Sequence, residues 1–196
     1  ILFKDVCRSK GFPVIDGFGF TARSFFEDKN ALLDKIEREL GYPVIIKPAN
    51  LGSSIGISKA SDRTALEEKI NLACSFAPRI LAEKAIVNLR EINCSVLGDG
   101  NSCKASVCEE PVMSDEILSF SDKYESQSSS KGMASLSRII PAKIPDEKTK
   151  EIQDISERLF KYLDCCGVVR IDFIIDEGDG GKVYINEINT IPGSLA

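Results

Sequence analysis

The chain has 196 residues, which is enough for one sizeable domain or for two small lobes. Hydrophobic residues make up 43% and charged residues 28%, and no apolar run approaches the ~20 residues that span a bilayer, so we expect a globular protein without a membrane partner. The net charge of −5 argues against a nucleic-acid partner, and the absence of histidine excludes imidazole-based catalytic triads and histidine-ligated metal sites.

Cysteine usage and the chain ends bear on location and completeness. The seven cysteines show no CxxC spacing and no signal peptide opens the chain, which favours a reducing, cytoplasmic location. The chain begins without Met inside a helix-like segment and stops just after a turn. We therefore expect an excised piece of a longer protein.

The first half of the sequence predicts alternating helices and strands. The predicted elements are a helix over residues 1–10, an amphipathic helix over 29–40, a strand over 44–47, a Gly/Ser-rich turn over 51–56, a helix over 62–76 and a strand over 79–83. Gly41 supplies the stop signal of the second helix, and Asp62 supplies the N-cap of the third. A short connector, 84–89, follows.

The second half predicts a larger sheet and a long loop. The predicted elements are strands over residues 91–97, 103–107 and 138–140, a loop over 109–136, a helix over 146–163 and strands over 168–175 and 183–188. A loop of that length inside a compact domain indicates a lid, a binding loop or a disordered segment.

This order of elements predicts an α+β fold with two lobes, each a sheet backed by helices. We expect the first lobe over residues 14–84 and the second over 85–196, with 84–89 as the hinge. Residues 1–13 are expected to be the end of a preceding helix or linker.

The strongest candidate chemistry lies on the last two predicted strands. Arg170 and Asp172 are two residues apart, as are Glu187 and Asn189, so each pair shares one face of its strand. A hairpin would bring Asp172, Glu187 and Asn189 together as oxygen ligands for Mg²⁺, with Arg170 available to an anion. The alternative is a solvated strand face.

Neither of the two common nucleotide-phosphate binding motifs, GxxxxGK[ST] and GxGxxG, is present. The remaining candidates for nucleotide binding are therefore single residues, and each is a weaker signal. Lys47 ends an apolar strand just before the Gly/Ser turn, a position from which its side chain could bind a phosphate group. The alternative is a surface lysine that extends its charged end into water. Glu83 at the hinge suits a ribose hydroxyl or faces water. Lys123 and Tyr124 lie in the long loop. They are either functional residues or part of a mobile polar loop without a role.

Five segments together carry a family resemblance. They are residues 47–57 (KPANLGSSIGI), 90–92 (REI), 122–124 (DKY), 169–173 (VRIDF) and 186–193 (NEINTIPG). In this order and at about this spacing, they resemble the D-alanine–D-alanine ligases over essentially the whole chain. The resemblance implies an ATP-grasp fold with ATP bound between two lobes, and it favours function over the alternatives above.

The resemblance also implies a role for particular residues. Lys47 and Lys123 would contact ATP phosphates, Glu83 the ribose or adenine edge, the Lys84 and Ile86 backbone the adenine, and Glu91 the ribose. Asp172, Glu187 and Asn189 would hold two Mg²⁺ ions, with Mn²⁺ a possible substitute. Arg170 and the Gly193 N–H would stabilise the oxyanion, and Ser53 with Tyr124 would join the loops over the substrate. The implied reaction joins two D-alanines through an acyl phosphate, for peptidoglycan synthesis.

The sequence departs from the family pattern at both ends. The family's N-terminal domain and a further ATP-contacting lysine are absent, and Ser194 follows Gly193 directly, where the family runs longer before its Ser–Leu pair. We therefore expect the isolated chain to be weak or inactive, and the full-length protein to form a homodimer. The alternatives are a ligase that takes D-lactate or D-serine second, another ATP-grasp enzyme, or a non-catalytic nucleotide-binding module.

Overall fold

A computed structural model describes residues 1–51, 55–112 and 138–193 of the protein. The chain divides into two compact units. The first contains Ile1 and Ile15–Ala85; the second contains Leu2–Val14 and, within the described ranges, residues 86–112 and 138–193. No helix in these ranges combines the length and the apolar character that a membrane crossing requires.

The helices and strands follow the chain in this order: α1 Leu2–Ser9, β1 Gly17–Thr21, α2 Ala22–Glu27, α3 Lys29–Leu40, β2 Val44–Pro48, β3 Ser58–Ala60, α4 Arg63–Phe76, β4 Arg79–Lys84, β5 Leu89–Gly98, β6 Cys103–Pro111, β7 Arg138–Ile139, α5 Asp146–Tyr162, β8 Gly167–Asp176 and β9 Lys182–Asn189. A short 3₁₀ turn, Glu177–Asp179, separates β8 from β9. Each predicted helix and strand is present, with small shifts at the ends.

The first unit is an antiparallel sheet in the order β1-β4-β2-β3, with α3 and α4 packed on one face. Alternate strand residues such as Val44, Ile46 and Ala82 point into this core, because successive side chains of a strand face opposite sides. The Asp62 side chain accepts a hydrogen bond from the Ala65 N–H, which confirms the predicted N-cap of α4.

The sequence pattern gave no sign of β1 and α2. Glycine is depleted in strands, and β1 reads GFGFT, so local composition argues against a strand there. Pairing with β4 forms it nevertheless, with Gly17 opposite Glu83. Thr21 then ends the strand and begins α2 through a capping box with Ser24.

The second unit is an antiparallel sheet in the order β7-β6-β5-β8-β9. Val169, Ile171 and Phe173 alternate along β8 and pack with Leu159 and Phe160 of α5 in a buried core. The other face of the sheet is therefore left for the residues between them, which include Arg170 and Asp172.

The predicted loop over residues 109–136 begins too early, because β6 continues through Glu109 and Glu110 to Pro111. Two carboxylates in sequence do not favour a strand, but each finds a partner across the sheet. Arg90 on β5 donates to Glu110 through Nε at 2.9 Å and Nη2 at 2.7 Å, a bidentate pair that offsets the poor propensity.

Candidate functional site

The predicted metal and anion residues meet on the polar face of the second-unit sheet. β8 and β9 pair antiparallel, with Asp172 opposite Glu187 and Arg170 opposite Asn189. Directly opposed residues share a face and lie within side-chain reach. The hairpin predicted from the sequence therefore does bring these residues together.

A β-bulge at Asn186 makes this arrangement possible. Ile185 is buried in the core, and Ile188 also packs against it, although residues three apart on a regular strand face opposite sides. The register shifts between Asp172 and Phe173, where β9 contributes one extra residue. Without that shift, Glu187 and Asn189 would share the core-facing side with Ile185. Sequence alternation alone gave no signal for the bulge.

Asp172 is the centre of a charged hydrogen-bond network. Arg170 donates to it twice, from Nε to Oδ1 at 2.7 Å and from Nη2 to Oδ2 at 2.9 Å. Asn189 donates from Nδ2 to Oδ2 at 2.9 Å. The hydrogen bond with Asp172 is the main cause that raises the pKa of Arg170, and the charges of Asp172, Glu109 and Glu187 add to it. The guanidinium therefore remains charged.

The donor set suits a hard divalent cation. Asn189 turns its amide nitrogen to Asp172, so its Oδ1 oxygen is left to act as a ligand beside the two carboxylates. Among the described residues no group of three Asp, Glu, Cys or His side chains is placed to hold a metal ion. The predicted set does not require such a group, because its third donor is an amide. Glu187 is exposed at the edge of the group.

The same row of the sheet continues through residues that sequence reasoning missed. Asn93 on β5 is the register partner of Asp172 and, on its other side, of Glu109 on β6. Glu109 is only 3% exposed, and its Oε2 oxygen has no hydrogen-bond partner among the residues that the structure describes. A buried acceptor left unsatisfied costs about 1–3 kcal/mol, more when charged. Alternation along β6 could have placed Glu109 on this face, had the strand been predicted to reach it.

The first unit carries a second charged pair on the sheet face away from α3 and α4. Lys47 on β2 forms an ion pair with Glu83 on β4, and the Glu83 side chain is only 2% exposed. A carboxylate so deeply buried needs a compensating cation. Lys47 is therefore not a snorkelling lysine, and Glu83 does not face water.

Gly17 leaves room for Glu83. A Cβ atom at Gly17 would lie 2.5 Å from the Ala82 carbonyl oxygen and 2.7 Å from the Glu83 Cγ, both too close. We expect Gly17→Ala to lower the free energy of unfolding by about 1–3 kcal/mol, the usual cost of overpacking. Denaturant unfolding measures the change. Gly100→Ala, at a site where a Cβ meets nothing within 4 Å, is the control, and equal losses from both would contradict this reading.

Four further predicted residues lie in the described ranges, apart from these pairs. Glu91 lies on β5, on the same face as Asn93. The Lys84 N–H is already used, donating to the Asp16 carbonyl at 2.9 Å, while Ile86 is half-buried. Gly193 is exposed in the segment after β9. The predictions for Ser53, Lys123, Tyr124 and Ser194 fall on residues outside the described ranges.

Comparison with known proteins identifies the family. The family model described as "D-ala D-ala ligase C-terminus" matches residues 6–195. The D-alanine–D-alanine ligase of Acetivibrio thermocellus is 38% identical over 194 residues, which cover 98% of this chain and 49% of that protein. The chain thus spans about half the length of the curated relatives it matches.

Solved structures agree in fold. The D-alanine–D-alanine ligase of Coxiella burnetii superposes with a TM-score of 0.73 at 28% identity, covering 98% of this chain and 47% of that one. The VanG D-Ala:D-Ser ligase of Enterococcus faecalis gives 0.77 at 27% identity, covering 97% and 51%. The α+β architecture and the ATP-grasp fold expected from the sequence are confirmed. The chain belongs to the D-alanine–D-alanine ligase family, and nearly all of it corresponds to the C-terminal part of these ligases.

Proposed function

We propose that the protein joins two D-alanines at the expense of ATP, forming D-alanyl-D-alanine for peptidoglycan synthesis. The observation that carries the proposal is the Arg170–Asp172–Asn189 network on the polar sheet face, in a chain of this family. It combines oxygen donors for a divalent cation with a permanent cation for a developing oxyanion. A non-catalytic nucleotide-binding module would not need this combination.

Nucleotide binding is assigned to residues of both units, taking residues 14–84 and 85–196 as the ATP-grasp lobes. Lys47 would contact an ATP phosphate. Its ion pair with Glu83 would then be replaced by an ion pair with the phosphate, which carries more negative charge. Glu83 and Glu91 would accept hydrogen bonds from the ribose or from the adenine edge. The backbone of Lys84 and Ile86 would read the adenine. Lys123 is assigned to the phosphates on family resemblance alone.

Asp172, Glu187 and Asn189 would hold Mg²⁺, with Mn²⁺ as a substitute, and two ions are expected from the family. Bound there, the metal would neutralise phosphate charge and align the transferred group. Arg170 would then stand beside the reacting carbonyl and stabilise its oxyanion, with the Gly193 N–H as a second donor. Ser53 and Tyr124 are proposed to close over the substrate.

The proposed chemistry balances in two steps. A carboxylate oxygen of the first D-alanine attacks the γ-phosphorus of ATP, the bond to the β-phosphate oxygen breaks, and ADP leaves with an acyl phosphate formed. The free amine (–NH2) of the second D-alanine attacks the acyl carbon, and phosphate leaves with the carboxylate oxygen. The attacking nitrogen loses one proton and keeps the other as the amide N–H. Phosphoryl transfer depends on positioning and charge neutralisation, so the lack of histidine is no obstacle.

An isotope experiment tests this route. D-Alanine carrying a heavy oxygen isotope in its carboxylate is incubated with ATP, Mg²⁺ and the full-length protein, and the released phosphate is analysed by mass spectrometry. The acyl-phosphate route transfers one carboxylate oxygen to each phosphate. Phosphate that is released without label would show that ATP is hydrolysed rather than used for ligation.

The proposal further includes a cytoplasmic location and a homodimer of the full-length protein.

Metal binding should compete with Arg170 for Asp172. The two Asp172 oxygens already accept three hydrogen bonds, two from Arg170 and one from Asn189. A cation that binds Asp172 must displace these donors or share the oxygens with them. We expect Arg170→Met to raise the affinity for Mn²⁺, without nucleotide, by about 3- to 10-fold, although activity falls. Electron paramagnetic resonance of free Mn²⁺ measures the affinity.

Arg158→Met is the matched control, because Arg158 pairs with Asp154 on the exposed side of α5 and carries the same charge. It should leave the Mn²⁺ affinity unchanged. An unchanged or weaker affinity in Arg170→Met would show that Asp172 does not bind the metal.

A further inference from the structure

Three neighbouring side chains on the polar sheet face have no part in the reaction as proposed. Asn93 and Ser95 lie on β5, and Glu109 lies on β6. Asn93 is opposite Asp172, and Ser95 is opposite Arg170. Asn93 and Ser95 therefore lie one strand away from Asp172 and Arg170 on β8, and Glu109 lies two strands away from them.

Acceptor atoms outnumber donors in this group. Asn93 donates a hydrogen bond from Nδ2 to the Glu109 Oε1 oxygen at 3.3 Å, so its Oδ1 oxygen is an acceptor for a further hydrogen bond. The Glu109 Oε2 and Ser95 Oγ atoms are buried and lack a hydrogen-bond partner within the described part of the chain. Arg138 places Nη1 3.5 Å from Glu109 Oε2, which balances charge without making a hydrogen bond.

The chemistry of the group selects a ligand with several N–H donors. A buried carboxylate oxygen, an amide oxygen and a hydroxyl oxygen can each accept one hydrogen bond from the same ligand, and three is the number that a primary ammonium group donates. An amine offers N–H donors whether it is protonated or free. A hydroxyl group in its place offers one donor and no charge. The group is therefore built to distinguish an amine from a hydroxyl.

We propose that Glu109, with Asn93 and Ser95, holds the amino group of the second substrate and so selects an amino acid over a 2-hydroxy acid. The inference rests on the proposed ligase function and adds a specificity-determining residue to it. Glu109 forms no covalent bond in this role; it orients the nitrogen that attacks the acyl carbon. The same carboxylate would leave a hydroxy acid poorly held.

A competition experiment isolates this step. The full-length protein is given ATP, Mg²⁺ and a mixture of D-alanine and D-lactate, and the ratio of D-alanyl-D-alanine to D-alanyl-D-lactate is measured by mass spectrometry. Both products need the same first D-alanine and the same ATP, so the ratio reports only on the second substrate. We expect Glu109→Gln to lower the ratio about 10- to 100-fold, whatever its total activity.

Glu110→Gln is the matched control. Glu110 is the next residue on β6, but it is hydrogen-bonded to Arg90, so its loss should leave the product ratio within about twofold. A Glu109→Gln ratio that also stays within about twofold, or a variant that makes no depsipeptide, would overturn the inference and leave Glu109 as a structural partner of Arg138. Failure of the ligase function itself would be seen separately, as no D-alanine-dependent ADP from the unsubstituted protein.

Discussion

Asp172→Asn should reduce D-alanine-dependent ADP formation by about 100- to 1,000-fold while the protein stays folded. The substitution removes the charge that would hold a divalent cation, and it weakens the bidentate grip on Arg170, so both proposed roles fail together. Steady-state kinetics with varied Mg²⁺ would measure the loss. Raising the Mg²⁺ concentration should recover part of the rate, because the remaining ligands Glu187 and Asn189 are unchanged.

Asp176→Asn supplies the control for this experiment. Asp176 ends the same strand, but its side chain accepts a hydrogen bond from the Gly178 N–H and lies outside the network around Asp172. Its substitution should leave the rate within about twofold. Full activity in Asp172→Asn would show that Asp172 does not hold the metal, and equal losses in both variants would point to damage of the strand.

Lys47→Met should produce the largest loss of stability, about 2–4 kcal/mol in the free energy of unfolding. It removes the ion-pair partner of Glu83, a carboxylate whose side chain is 2% exposed. ATP affinity should fall as well, because the proposed phosphate contact is lost. Denaturant unfolding and titration calorimetry measure the two effects separately.

Two further variants separate the structural role of this pair from nucleotide binding. The double variant Lys47→Met with Glu83→Gln should recover most of the stability, since no buried charge is left, but none of the ATP affinity. Lys29→Met, which breaks the exposed pair with Glu67, should cost less than about 1 kcal/mol and leave ATP binding intact. Unchanged ATP affinity in Lys47→Met would contradict the assigned phosphate contact.

The parts of the fold that the sequence predicted are those specified by local signals. The helix over Lys29–Leu40 combines apolar periodicity with Gly41, and the helix that begins after Asp62 has its cap in the sequence. The strand Gly17–Thr21 could not be predicted, because its glycines lower its local propensity and only pairing with β4 forms it.

The candidate site was predicted in its residues but not in its geometry. The alternation of Arg170 with Asp172 was readable, and so was that of Glu187 with Asn189. The bulge at Asn186, which turns the second pair away from the core, depends on the register of two strands. Glu109 was missed for the same kind of reason, since its burial and its place beside Asn93 come from pairing across the sheet.

ADP formation decides whether the full-length protein is a ligase. It is measured with ATP and Mg²⁺, with and without D-alanine, and the product is identified. ADP formation should depend on D-alanine and match D-alanyl-D-alanine one for one. ATP binding without D-alanine-dependent turnover would contradict the ligase assignment, although the ATP-grasp fold and the family would stand.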